Sequence, residues 1–276
     1  MREAADRGLA VFCEKPLAKS LAEVEEMVTA VERAGVVNQV GLILRYSPIY
    51  TVLKDLMSAP DLGPFLAAHL RDDQYFPVGG QYGSTWRGDF ERVGGGTLIE
   101  HSIHDVDLFH WLFGDIAAVR CHTRETSGHA GIEDVALATF QHADGHQTSL
   151  TSVWHDVGGR PSTRRLEMFF EGGWFATDDD FVGPIRYQLR SGPEQLISAE
   201  EMLERYRKVA GLDDVEFELA RRGTLEDYAF LRSVYEGTPA FPGFRTALRA
   251  HQVVDACYRS AREAAEVVVP PAGGHA

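Results

Sequence analysis

Three glycines, Gly94-Gly95-Gly96, are followed at once by Glu100, His101, His104, Asp105 and Asp107. Carboxylates around an imidazole at helical spacing can orient the ring and pass a proton. Glu100 lies one turn before His104, and Asp107 nearly one turn after it. At ~100° per residue, Glu100, His104, Asp107 and Trp111 share one stripe of a helix that is otherwise apolar. Such a helix is buried, so its ionisable residues need partners. The triple glycine at its entrance lets another group approach the backbone closely. A metal reading uses Glu100, His101, His104 and Asp107 as ligands. His101 falls ~60° from His104 around the helix, and no cysteine or distant ligand completes the set, so no metal is expected.

The elements before this stretch read as β-α-β. Leu9 to Cys13 is a short apolar run with Glu14-Lys15-Pro16 at its carboxyl end. Ser20 N-caps a helix with Glu23 at the capping-box position. Leu21, Val24, Met27, Val28 and Val31 recur at helical spacing, and Gly35 ends the helix. Val36 to Leu44 is the next expected strand. Open α/β sheets bind ligands at strand carboxyl ends, where Glu14 and Lys15 stand at one end and Arg45 at the other. An ammonium there could stabilise a developing alkoxide. No G-x-G-x-x-G occurs in a strand-to-helix setting.

From Tyr46 the pattern changes. Ser47-Pro48 opens a helix to about Ser58, Gly63 to Tyr75 reads as a strand, and a glycine-rich loop to Val93 carries Trp86-Arg87. β-type runs follow at 117–126, 133–141, 147–155, 165–170, 173–177 and 185–189, with Ala143-Asp144-Gly145 as a hairpin signal. Short turns between consecutive strands imply an antiparallel sheet. His155 and Asp156 end one of these strands. Helices are expected at 199–210, 215–235 and 246–265, before a disordered tail.

Bulk properties narrow the partners. The formal net charge of -14 argues against nucleic acid and anionic membranes. Three separated cysteines fit a reducing cytoplasm rather than a disulfide framework or CxxC site. No apolar run reaches membrane-spanning length, and the N-terminus lacks the apolar core of a signal peptide.

Cys13-Glu14-Lys15-Pro16-Leu17-Ala18 resembles the E-K-P signature of the Gfo/Idh/MocA oxidoreductase family. Gly94-Gly95-Gly96 with Glu100, His104 and Asp107 resembles its second signature, G-G-G-x-x-x-D-x-G-x-H-x-x-D. Residues 40–48 and Trp86-Arg87 are similar to further family stretches in the expected order. Glu100 stands where the family has Asp, and Ser102 where it has Gly.

The resemblance implies an α/β plus α+β protein: a partial Rossmann-like dinucleotide-binding domain at 1–45, then an α+β domain with a large, mostly antiparallel sheet at 46–268. The C-terminal helices could pack back on the first domain, and 269–276 would be a disordered tail. The expected chain is N-terminally truncated, without the glycine turn that opens such a domain. The implied activity is hydride transfer between NAD or NADP and a hydroxyl carbon of a sugar, polyol or similar polyhydroxylated molecule. The implied catalytic residues are Lys15, His104 and Glu100, with His104 as acid/base. Cofactor contacts fall to Glu14, Lys15, Pro16, Arg45, Trp86 and Arg87. Substrate contacts fall to Tyr46, Glu100, His104, Asp107 and His155. A homo-oligomer through the antiparallel sheet is expected. Two alternatives stand beside this: a non-catalytic binding or oligomerisation protein lacking a complete nucleotide site, and a cofactor-recycling hydrolase or isomerase on the same scaffold.

Overall fold

The computed structural model describes residues 1–79 and 82–271. Helix α1 (Arg2–Asp6) leads into strand β1 (Val11–Cys13), helix α2 (Leu21–Ala34) and strand β2 (Asn38–Val40). β1 and β2 pair in parallel. The Ser20 hydroxyl accepts the Glu23 N–H at the start of α2, and Gly35 closes it in the left-handed conformation, a cap of about 1 kcal/mol. Val11, Val24, Val28, Val31, Val40 and Leu42 form a core between these elements, joined by Phe244 and Ala247 of the C-terminal helix.

The expected strand at 36–44 is shorter than its apolar run. It ends at Val40, and Ile43–Tyr46 forms a turn of 3-10 helix. The Gly41 N–H still bonds Cys13 O, but the next N–H, that of Leu42, folds back to Val40 O, so the chain leaves the sheet. Arg45 therefore sits on a helical turn and not at a strand end.

Helix α3 (Pro48–Leu56) is capped by the Ser47 hydroxyl. Strand β3 (Phe65–Tyr75) precedes the site segment: α4 (Phe90–Val93), α5 (Thr97–Glu100) and α6 (Ile103–Phe113). Strands β4 (Ile116–Arg124), β5 (Val135–His142), β6 (Gln147–His155), β7 (Thr163–Phe170), β8 (Gly173–Thr177), β9 (Ile185–Leu189) and β10 (Gln195–Ile197) follow. Helices α7 (Ala199–Ala210), α8 (Asp214–Arg221), α9 (Leu225–Glu236) and α10 (Phe244–Glu263), then strand β11 (Val267–Val268), complete the described chain. The helix expected over 215–235 is broken at Gly223, which has φ +71°. Val269, expected in the tail, is buried and donates its N–H to Ala117 O; residues 272–276 of that tail lie outside the described residues.

The large sheet has nine strands in the order β10-β9-β8-β7-β3-β6-β5-β4-β11. β3 sits between β7, antiparallel, and β6, parallel. A parallel pair needs a long crossover, and the crossover from β3 to β6 carries the site helices. Alternate residues of β5 are buried, Ala136, Ala138, Phe140 and His142. The other phase leaves Leu137 48% exposed, and Phe169 of β7 is 45% exposed. One sheet face thus packs on the helices, where Leu70, Phe109, Phe140, Leu150 and Val253 meet, and the other carries exposed apolar side chains.

Each glycine before the site is pressed against a different element. A Cβ on Gly94 would strike the Lys19 carbonyl, on Gly95 the Tyr258 hydroxyl, and on Gly96 the Glu133 backbone. Backbone cannot yield as a side chain tip can. Gly96→Ala is expected to cost about 1–3 kcal/mol or more, read as a lower urea midpoint at unchanged m-value. A wild-type midpoint would contradict the close seat.

Candidate active site

The site segment is one apolar run in two pieces. α5 ends at Glu100, His101 takes φ -113° and ψ -59°, and α6 starts after Ser102. The expected single stripe of Glu100, His104, Asp107 and Trp111 is therefore interrupted, and its members turn to different partners. Ser102 is fully buried at the break. Its hydroxyl lies 2.8 Å from Asp72 Oδ2 and 2.6 Å from Ser152 Oγ. A glycine there would offer no such tie.

Glu133 anchors the N-terminus of α5. Its carboxylate accepts the N–H groups of Gly96 at 2.6 Å and Leu98 at 2.9 Å, and the Tyr258 hydroxyl at 2.9 Å. The two N–H groups are donors that a helix N-terminus leaves free. Burial raises the Glu133 pKa, and these hydrogen bonds oppose the rise.

Lys15 reaches this segment from the carboxyl end of β1. Its Nζ donates to the Glu100 carbonyl at 2.6 Å. Burial lowers its pKa; the Glu100 carboxylate opposes that, while Arg164 and Arg87 push it further down. The Glu100 carboxylate accepts Arg87 Nε at 2.8 Å. Arg87 also donates to Ser84 Oγ and lies 4.9 Å over the Trp86 ring. Lys15, Glu100 and Arg87 thus form one connected group, with Trp86 partly exposed beside it.

His104 is buried, and its Nδ1 has no hydrogen-bond partner. Burial holds its pKa well below the usual histidine value, with Lys15, Arg164 and His101 pushing the same way and Asp72 opposing. The ring is therefore neutral at pH 7, the form that accepts a proton.

Behind it lies a cluster absent from the sequence-derived site. Arg164 donates from Nε to Asp105 Oδ1 at 2.6 Å and from Nη1 to Asp180 Oδ2 at 2.7 Å. Its Nη2 lies 3.0 Å from His101 Nε2 and 3.4 Å from Asp72 Oδ2. Burial opposes ionisation of Asp72, but Arg164 and His101 outweigh it and hold this carboxyl low. Burial raises Asp105 well above the usual carboxylate range; Arg164 opposes the rise and neighbouring Asp72 adds to it.

The other expected ligand residues stand elsewhere. Arg45 and Asp107 face each other in a bidentate pair at 2.7 and 2.8 Å, with side chains 9% and 2% exposed. Their charges are spent on one another, not turned toward a ligand. The Tyr46 hydroxyl is committed to the Phe241 carbonyl at 2.6 Å. His155 ends β6 beside Tyr75 and is 3.4 Å from Asp73 Oδ2. It lines a separate cleft of about 530 Å³ with Phe76, His129 and Trp154. Among the described residues, no group of three or more His, Cys, Asp or Glu is placed to hold a metal.

The expected cofactor residues that do converge are Glu14, Lys15, Pro16 and Trp86. With Glu100, Lys19 and Arg92 they line a cleft of about 780 Å³ at the carboxyl end of β1. Arg87 stands behind its wall through Glu100 and Trp86.

Comparison with known proteins gives two family matches. Residues 1–42 match an oxidoreductase family with an NAD-binding Rossmann fold, GFO_IDH_MocA, and residues 50–176 match the GFO/IDH/MocA C-terminal domain. The scyllo-inositol 2-dehydrogenase (NAD(+)) of Bacillus subtilis (strain 168) is 34% identical over 197 residues, 67% of this chain and 52% of that protein. The 1,5-anhydro-D-fructose reductase of Ensifer adhaerens is 30% identical over 152 residues, 54% of this chain and 44% of that protein. The chain spans about half the length of the curated relatives it matches. Among solved structures, levoglucosan dehydrogenase in complex with NADH and L-sorbose superposes with a TM-score of 0.83 at 20% identity, over 98% of this chain and 75% of that one. At that identity the likeness is one of fold: a Rossmann-like unit followed by a large, mostly antiparallel sheet.

Removing one member of the buried Arg45–Asp107 pair strands the other. Arg45→Met is expected to cost about 3–5 kcal/mol near neutrality. Burial already raises the Asp107 pKa, against the opposing Arg45 bonds. Without Arg45 it rises further, so the deficit should grow as pH climbs above ~4. Denaturant unfolding at several pH values reads this; a pH-independent deficit under ~1 kcal/mol would contradict the buried pair.

Proposed function

The chain belongs to the GFO/IDH/MocA family of oxidoreductases, and from that premise we propose that it serves hydride transfer between a nicotinamide cofactor, NAD or NADP, and the hydroxyl carbon of a sugar, polyol or similar polyhydroxylated molecule. The observation that carries the reading is the neutral, buried His104 beside Lys15 and Glu100 at the carboxyl end of β1. Relatives named as dehydrogenases and reductases of inositols and sugars support the substrate class.

The cleft's residues fit a dinucleotide. Its volume lies in the usual range for such ligands. Lys19 and Arg92 supply cations for phosphate oxygens, and Trp86 supplies an aromatic face. When bound, the nicotinamide would accept or supply the hydride. The chain's own residues do the rest. Lys15 holds its ammonium toward the reacting oxygen and stabilises negative charge on it. His104 takes the hydroxyl proton in oxidation and returns it in reduction. Glu100 keeps Lys15 and Arg87 in place through its carbonyl and carboxylate.

The exposed sheet face with Leu137 and Phe169 supports a homo-oligomer through that face. The free cysteines support a cytoplasmic location. Light scattering is expected to give a mass above that of one chain; a monomeric mass would overturn the pairing.

The pH profile tests the chemistry. A base whose pKa is lowered stays deprotonated until the pH falls through that value. Oxidation is therefore expected to hold its rate through ~6.5, the ordinary histidine pKa, and to fall only below it. Reduction should rise on acidification. His104→Ala should lower kcat by about 10²–10⁴-fold while NADH or NADPH fluorescence titration still reports binding. No nucleotide binding by the chain would overturn the dehydrogenase reading; an unchanged kcat would overturn the acid/base role.

A further inference from the structure

We propose that Arg164 is the positioning residue of the acid/base histidine: its guanidinium fixes the first turn of α6 through Asp105 and the break before it through His101. This rests on the acid/base reading of His104. A catalytic histidine is ordinarily oriented by a hydrogen bond at its second ring nitrogen. His104 lacks one, because its Nδ1 is buried without a partner. Its orientation then depends on the packing around it and on the backbone that carries it.

That backbone is tied down on both sides of the ring. Asp105, the next residue, is fully buried and receives Arg164 Nε at 2.6 Å. Ser102, two residues before, is tied to Asp72 and Ser152. Arg164 connects both ties. One planar fork spans Asp105 on α6, Asp180 in the loop after β8, and Asp72 on β3, and touches His101 at the helix break. A lysine could not span these directions at once.

The groups around His104 come from every neighbouring element. Lys15 comes from the β1 end, Arg164 from β7, Asp72 from β3, and His101 from the break; Glu100, Asp105 and Asp107 share its own segment. Arg164 and Lys15 disfavour an imidazolium, and Asp72 favours one. Asp72, the group that opposes them, itself receives Arg164 and Ser102.

The test uses the full chain labelled with ¹⁵N-histidine, following the His104 ring by NMR against pH, beside steady-state oxidation kinetics. Wild-type His104 should titrate below ~6.5. Arg164→Met should raise that titration and the acid limb of kcat together, and lower kcat by roughly ten- to a hundredfold. Arg164→Lys keeps the charge without the fork: the titration should stay in place while kcat falls at little-changed KM. If Arg164→Met does not fold, the lysine variant alone decides. A lysine variant with wild-type kcat, or a folded methionine variant with an unmoved His104 titration, would overturn the proposal. The NMR arm needs no turnover, so it still decides the charge role if the chain proves not to be a dehydrogenase; that failure would appear as absent turnover in the wild type.

Discussion

The structure depends on how closely the backbone at Gly94-Gly95-Gly96 can be approached. Each glycine seats against a different body: the loop that carries Lys15 and Lys19, the C-terminal helix through Tyr258, and the connection between β4 and β5 at Glu133. A side chain at any of the three would push two of these apart. The closeness lets Lys15 reach the Glu100 carbonyl, and lets one carboxylate, that of Glu133, cap α5 and bind Tyr258. A short backbone stretch thus joins the small parallel unit, the helical layer and the nine-stranded sheet.

Around that joint the charges are buried, and burial sets their chemistry. Burying an ion pair gains little net stability, because desolvation offsets much of the attraction. What it does here is fix direction. Arg45 spends its fork on Asp107, Arg87 on Glu100, and Arg164 on three carboxyl groups. His104 and Lys15 are not spent in this way. His104 has a bare buried nitrogen, and Lys15 is held by a neutral carbonyl rather than clasped by a carboxylate.

Much of this could be read in the sequence where local chemistry dictates geometry. Ser20 and Gly35 mark the ends of α2, the alternation in β5 marks its buried face, and the triple glycine announces a close contact. What could not be read was whatever tertiary partners decide. Helical periodicity runs straight through Glu100-His101-Ser102, because a two-residue break hardly changes the apolar phase. Arg45 and Tyr46 looked available because their partners, Asp107 and the Phe241 carbonyl, lie 62 and 195 residues away. Arg164 and Asp72 did leave a signal. Each falls in phase with the buried residues of its strand, Leu166 and Met168 in β7, Ala68 and Leu70 in β3. A charge in phase with a core face must be paired, and the pairing here is with one another.

Lys15, desolvated at the carboxyl end of β1, is proposed as the cationic partner of His104 in a cofactor site. The chain has four lysines, Lys15, Lys19, Lys54 and Lys208, so reductive ¹³C-methylation gives few NMR signals, and Lys15→Met identifies one of them. The Lys15 signal is expected to titrate below ~10.4, the ordinary lysine pKa, because burial dominates its shift, and to move when NADH or NADPH is added. A Lys15 signal that titrates at the ordinary value and ignores both nucleotides would contradict the account.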